Sequence, residues 1–170
     1  MKPNTVGRAT GQSPHAHPIV TSAPKAGFVV GTVLLTQDGE MPVEFLSPGD
    51  RIITRDSGFA QLEAIRCRRT LTHAICFAAG SLGDMRPDQD LVLPAAQMVL
   101  IRDWRAQAMF GVDQALVRAD GLVDGEFIRD TGPQKMRLYQ LQFANPHVIY
   151  AGGLELSCMT GTARKLRPAA

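Results

Sequence analysis

Gly27-Phe28-Val29-Val30-Gly31-Thr32, then Thr36-Gln37-Asp38-Gly39-Glu40-Met41-Pro42-Val43-Glu44-Phe45-Leu46-Ser47-Pro48-Gly49-Asp50-Arg51-Ile52, then Thr54-Arg55-Asp56-Ser57-Gly58, is a run of short apolar segments cut at close intervals by turn signals. Residues 28–35 are apolar and β-branched and read as a strand, ended by Gln37-Asp38-Gly39. Residues 41–46 follow, and Ser47-Pro48-Gly49-Asp50 turns the chain again, with proline presetting φ. Residues 51–55 make another strand, closed by Asp56-Ser57-Gly58. Further out, 61–72 alternates imperfectly and reads as one long twisted strand, with 73–78 and 97–101 as two more. Residues 135–143 place Met136, Leu138 and Gln140 on one side and Arg137, Tyr139 and Leu141 on the other. Residues 147–151 form the last strand before Gly152-Gly153. One stretch argues for a helix: 113–119, with Asp113 as N-cap and Gly121 as stop. Short strands with a turn signal about every ten residues point to an all-β sandwich or curled barrel.

Composition narrows the class. A chain of 170 residues, 45% hydrophobic and 20% charged, fits one globular domain and excludes wholesale disorder. No apolar run approaches the ~18 residues of a membrane-spanning helix, and the first residues lack the apolar stretch of a secretory signal, so the cytoplasm is the expected compartment. Residues 1–25 hold Lys2, Arg8 and Lys25, residues 159–170 hold Arg164, Lys165 and Arg167, and neither end has an acid. Setting these cations aside leaves 12 basic against 16 acidic groups in 26–158, a net charge of −4. The Pro-rich 1–25 segment reads as a disordered tail, 26–158 as the folded domain, and 159–170 as a second, basic tail.

Ligand signatures are sparse. His15 and His17 form an HxH pair, but two ligands on a tail make a weak site. Cys67, Cys76 and Cys158 lack a CxxC spacing and read as free thiols, so no metal and no cofactor is expected. Arg66, Arg68 and Arg69 with Trp104 would be the material of a nucleic-acid surface; the acidic balance of the body argues against one, and no membrane contact is expected either. A protein partner and the oligomeric state are left open. No dinucleotide-binding, P-loop, zinc-protease or serine-hydrolase signature occurs.

The stretch quoted at the start resembles the opening of a Hint (Hedgehog/intein) domain, in the variety found in many bacterial proteins. That family begins Cys-Phe-x-x-Gly-Thr, continues to Gly-x-x-Pro-Val-Glu-x-Leu, and then gives Gly-Asp-x-Val/Ile-x-Thr-x-Asp-x-Gly. The likeness continues at Gly80-Ser81-Leu82-Gly83, Asp90-Leu91-Val92-Leu93-Pro94, Gln114-Ala115-Leu116-Val117, and from Tyr139 through His147-Val148-Ile149 to Gly153-Leu154, covering about 26–158. The resemblance implies an all-β Hint fold of curled β-hairpins with pseudo-two-fold symmetry.

It also implies a chemistry and its loss. Active members open on a Cys whose thiol attacks the preceding carbonyl in an N-to-S acyl shift, while a Ser or Thr and a His three residues on polarise that amide. Here Gly27 stands at the nucleophile position, and the Ser-Pro-x-His element reads Leu93-Pro94-Ala95-Ala96. Asp90, Thr32 and the second family histidine, His147, survive. The residues themselves favour structural roles: His147 at a strand end after Asn145-Pro146, Asp50 and Asp56 bonding turn backbone, Thr32 and Thr36 in strands. Glu44 could act as an acid but has no carboxylate partner at a readable spacing, and neither Cys76 nor Cys158 has a splice-site context. Two functions follow as expectations. One is a degenerate Hint domain without self-cleavage, kept as a binding or scaffold module. The other is a self-cleaving domain that uses unrecognised residues, with hydrolysis at Lys25-Ala26-Gly27 and His147 as base.

Overall fold

The computed structural model describes residues 25–158. The expectations for the two tails, including His15 and His17, lie outside the described residues. Twelve strands run in the order β1 (Phe28–Val29), β2 (Val33–Thr36), β3 (Gly39–Pro42), β4 (Arg51–Thr54), β5 (Gly58–Gln61), β6 (Ala64–Phe77), β7 (Leu91–Pro94), β8 (Met98–Ile101), β9 (Ala115–Arg118), β10 (Ile128–Gln142), β11 (His147–Ala151) and β12 (Leu154–Cys158), with the helix α1 (Trp104–Phe110) between β8 and β9. One sheet has the order β1-β10-β6-β7 and the other β3-β2-β4-β11-β12-β8-β9, with β5 on β4. The all-β reading holds.

Strand lengths depart from the local pattern where tertiary pairing overrides it. Residues 28–35 are two strands, because Thr32 N–H donates to Val29 O at 3.0 Å and Gly31 takes φ +84°. Residues 64–77 are one continuous strand: no breaker separates Thr72 from His73, and β10 pairs along nearly its whole length. β10 begins at Ile128, ahead of the expected 135, despite Gly132 and Pro133. A register shift between Asp130 and Pro133 absorbs both breakers, and the Asp130 carboxylate accepts from Gly132 N–H at 2.8 Å.

Two expectations need correction. The helix is Trp104–Phe110, not 113–119: Asp103, not Asp113, is the N-cap and accepts from Arg105 N–H at 3.0 Å, while Gly111 closes the C-terminus at φ +67°. Residues Ala115–Arg118 are β9, drawn into the sheet by β8, with Val99 opposite Val117. Nor is 147–151 the last strand. β12 follows it across Gly152-Gly153 and is buried at all five positions, so it lacks the period-two alternation that marks a half-buried strand.

The core gathers Phe28, Leu34, Ile52, Phe77, Leu93 and Ile149, all at 2% exposure or less, from both sheets. Burial of roughly this kind contributes about 1.5–3 kcal/mol per large side chain. The chain on the C-terminal side of Gly27 is thereby fixed, since Phe28 anchors β1 directly against Tyr139 of β10.

Candidate functional site

Gly27 lies at the mouth of β1 with its backbone held on both sides. Its N–H donates to Gln97 Oε1 at 3.1 Å in a buried contact, and Gln140 Nε2 donates to the preceding carbonyl, Ala26 O, at 3.2 Å. Gln97 is 1% exposed and spends its amide protons on Met98 O (3.2 Å) and Ser157 O (3.0 Å). The Ala26–Gly27 peptide is therefore tied through one glutamine to β8 and β12 and through another to β10.

The side-chain space at residue 27 is closed. Gly27 has φ +150°, and a Cβ built there would stand 2.9 Å from Tyr139 O and 3.2 Å from Leu138 Cβ. The nearest atom is main chain, which cannot swing aside as a side-chain terminus can. A nucleophile-bearing residue would need both a different φ and a displaced β10.

The residues aligned with the polarising pair are divided. Leu93 is 0% exposed and belongs to the core cluster, and Ala96 is half-buried without a polar group. It is Gln97, one residue further on, that reaches Gly27 N–H. Sequence reasoning passed over Gln97, and the one signal for it was a polar residue flanked by apolar 93–101. Gln140 carries no local signal beyond its place in a strand.

His147 opens β11 with only 12% of its side chain exposed. Its Nδ1 lies 2.8 Å from Asp56 Oδ2, and its ring meets Phe143 edge-on at 5.7 Å between centroids. With Nδ1–H donated to the carboxylate, Nε2 is left as the acceptor. Asp56 thus does something other than bond its own turn: it reaches His147 and, through Oδ1, Val148 N–H at 3.4 Å. Cys158 is the cross-strand partner of His147, and burial, reinforced by the Asp56 charge, pushes its thiol pKa well up. A protonated, buried thiol is a poor nucleophile.

The remaining candidates hold backbone. Asp90 Oδ1 accepts from Ala79 N–H at 2.9 Å and Asp50 Oδ2 from Ser47 N–H at 2.8 Å. Thr32 is buried in the turn before β2, and Thr36 Oγ1 donates to Gly39 O at 2.7 Å. Glu44 Oε2 accepts from Gly31 N–H at 2.8 Å, which pins the turn that carries β1 into β2. Among the described residues no group of three or more His, Cys, Asp or Glu side chains is placed to hold a metal, and no helix is long and apolar enough to cross a membrane.

The profile of the Hint domain family matches residues 26–162. The chain is similar in structure to a bacterial intein-like domain from Clostridium thermocellum, with a TM-score of 0.54 and 16% identity over 78% of this chain and 97% of that one. It is also similar to a DnaB intein from Synechocystis, with a TM-score of 0.54 and 12% identity over 79% of this chain and 99% of the intein. At such identities the likeness concerns the fold. No curated protein matches the chain.

Proposed function

The chain belongs to the Hint domain family, and from that premise we propose that it is a Hint domain that no longer processes itself and serves as a folded binding or scaffold module. The observation that supports this most directly is the closed space at residue 27: Tyr139 O lies 2.9 Å from where a Cβ would be. An acyl shift needs a thiolate at this residue to attack Ala26 C=O, and a proton for the departing Gly27 nitrogen. Glycine supplies no thiol. Gln97 presents its carbonyl oxygen to that N–H, so it accepts a hydrogen bond where the reaction needs a proton donor. General acid–base help of the missing kind is worth about 10²–10⁴ in rate.

One observation favours the second reading, self-cleavage by hydrolysis with His147 as base. Gln140 Nε2 donates to Ala26 O, the oxygen that would gain charge during attack by water. Intact mass after prolonged incubation with and without dithiothreitol discriminates the two. Recovery at 18.4 kDa under both conditions is expected. A fragment starting at Ala26 or Gly27 would overturn the loss of self-cleavage and establish hydrolysis.

A further inference from the structure

We propose that the long β6–β10 ribbon is a docking surface for the phosphate backbones of duplex DNA. The inference stands apart from the state of the self-cleavage site, since it uses none of those residues. The cations of the folded body are unevenly partitioned. Of the 12 basic residues in 26–158, Arg66, Arg68, Arg69, Arg129, Lys135 and Arg137 lie on β6 and β10. Among the described residues none of these makes an ion pair. Off the ribbon, by contrast, Arg55, Arg86 and Arg102 pair with Glu155, Arg105 with Asp103 and Arg118 with Asp120, and Arg51 stacks on Phe59. The sole acid within the two strands is Asp130, which is engaged by His73 at 2.8 Å. The acidic balance of the body lies off these two strands.

The register sharpens the point. Arg69 is the direct cross-strand partner of Arg137, and Lys135 sits two residues along on the same face. Like charges directly opposite one another destabilise a sheet, and no counter-charge from the described residues relieves this pair. A surface cavity of about 580 Å³ lies over the same place, lined by Arg69, Thr70, Leu71, Lys135, Met136 and Arg137.

Shape selects among polyanions. β1 pairs with β10 only at Leu138 and Tyr139, and β7 with β6 only from Ala74 onward, so between these the sheet is a two-stranded ribbon with free edges, packed on the face of Thr72 and Met136 and open on the face of Arg69, Leu71, Lys135 and Arg137. Such a ribbon fits the ~12 Å major groove of B-form DNA, whereas the deep, narrow major groove of A-form RNA does not admit one. Alternation puts Arg66 and Arg68 on the face opposite Arg69, Lys135 and Arg137. Arg66 and Arg68 stay exposed beside the packed Met136 and Leu138, so cations stand on both sides of the ribbon and match the phosphates on the two walls of a groove, whereas a planar anionic membrane offers one. Trp104, the aromatic weighed with the arginines in sequence, lies on α1 and plays no part.

The test is fluorescence anisotropy of the full chain with a labelled 20-base-pair duplex of mixed sequence, repeated from low to physiological salt. About four neutralised phosphates give a slope of log K on log salt near −3.6. Arg69→Gln with Arg137→Gln should weaken binding about tenfold or more at low salt and make the slope shallower by about 2. The same double variant should melt no lower than wild type without DNA, because it removes a repulsive pair, so lost binding cannot be ascribed to lost folding. A second variant, Arg164→Gln with Lys165→Gln and Arg167→Gln, should retain most of the affinity. Binding lost with the tail variant but kept with the ribbon variant would overturn the proposal. So would no duplex binding at low salt, or stronger binding to phosphatidylserine vesicles than to the duplex at equal phosphate.

Discussion

Gly27→Ala and Gly27→Cys should each destabilise the domain by roughly 2–6 kcal/mol. Two costs combine. Holding a non-glycine residue at a sparsely populated positive φ costs of order 1–3 kcal/mol, and Gly27 has φ +150°. Forcing a Cβ to 2.9 Å from Tyr139 O and 3.2 Å from Leu138 Cβ adds overpacking of about 1–3 kcal/mol. In a domain of this size each kcal/mol moves Tm by roughly 2–4 °C, so a drop of about 4–24 °C is expected. Gly31→Ala is the matched control: its φ is +84° but nothing lies within 4 Å of the new Cβ, so it incurs strain without crowding. The assay is thermal melting by circular dichroism, joined to a gel time course with added thiol. Gly27→Cys should melt lower than Gly31→Ala and release no N-terminal fragment. Equal melting of Gly27→Ala and Gly31→Ala would refute the crowding by β10. Thiol-dependent release from Gly27→Cys alone would refute the closed site altogether. Repair through Leu93→Ser and Ala96→His should fail for a separate reason, since Leu93 is fully buried and its loss opens the core, whereas Gln97→His places an imidazole at the position that contacts Gly27 N–H.

Glu155 is 2% exposed and bound by Arg55, Arg86 and Arg102, so Glu155→Gln removes their shared counter-charge and should cost about 1.5–3 kcal/mol in a urea titration, since the guanidinium groups left behind still reach solvent. Thiol titration with a disulfide reagent should label exposed Cys67 rapidly and buried Cys158 only after denaturant is added; fast labelling of a Cys67→Ser variant at Cys158 would contradict its burial. Three carboxyls titrate below their usual range: Asp120 held by the Arg118 guanidinium, Asp130 by Gly132 N–H and His73, and Asp124 by the N–H groups of Ile128, Glu126 and Phe127, which outweigh an opposing desolvation. Depressed carboxyls contribute stability that is present above their unfolded pKa and lost as pH falls through the folded one, so stability should decline on the acid side of about pH 4. Asp124→Asn should flatten that decline, and an unchanged acid limb would count against it.

The early turns and hairpins of this protein are written in local residue chemistry. Turn signals at Gln37-Asp38-Gly39, Ser47-Pro48-Gly49-Asp50 and Asp56-Ser57-Gly58 are local, because they depend on the φ preferences of glycine, proline and aspartate, and they mark the early hairpins without reference to anything distant. The family pattern was legible for the same reason, and so was the missing nucleophile at Gly27. Tertiary structure decided what depends on partners far along the chain. Ala115–Arg118 became β9 because β8 pairs with it, and Leu154–Cys158, buried on both sides, carried no alternation from which to read a strand. Gln97 and Gln140 converge on one peptide bond from positions 70 and 114 residues away from their partners, a convergence no local window contains. Asp56 reaches His147 across 91 residues in the same way. Charge shows the difference most plainly. The sum over 26–158 is a property of composition, whereas the ribbon of unpaired arginines exists because a long antiparallel register sets Arg137 opposite Arg69, and register is fixed by the packing of both strands at once.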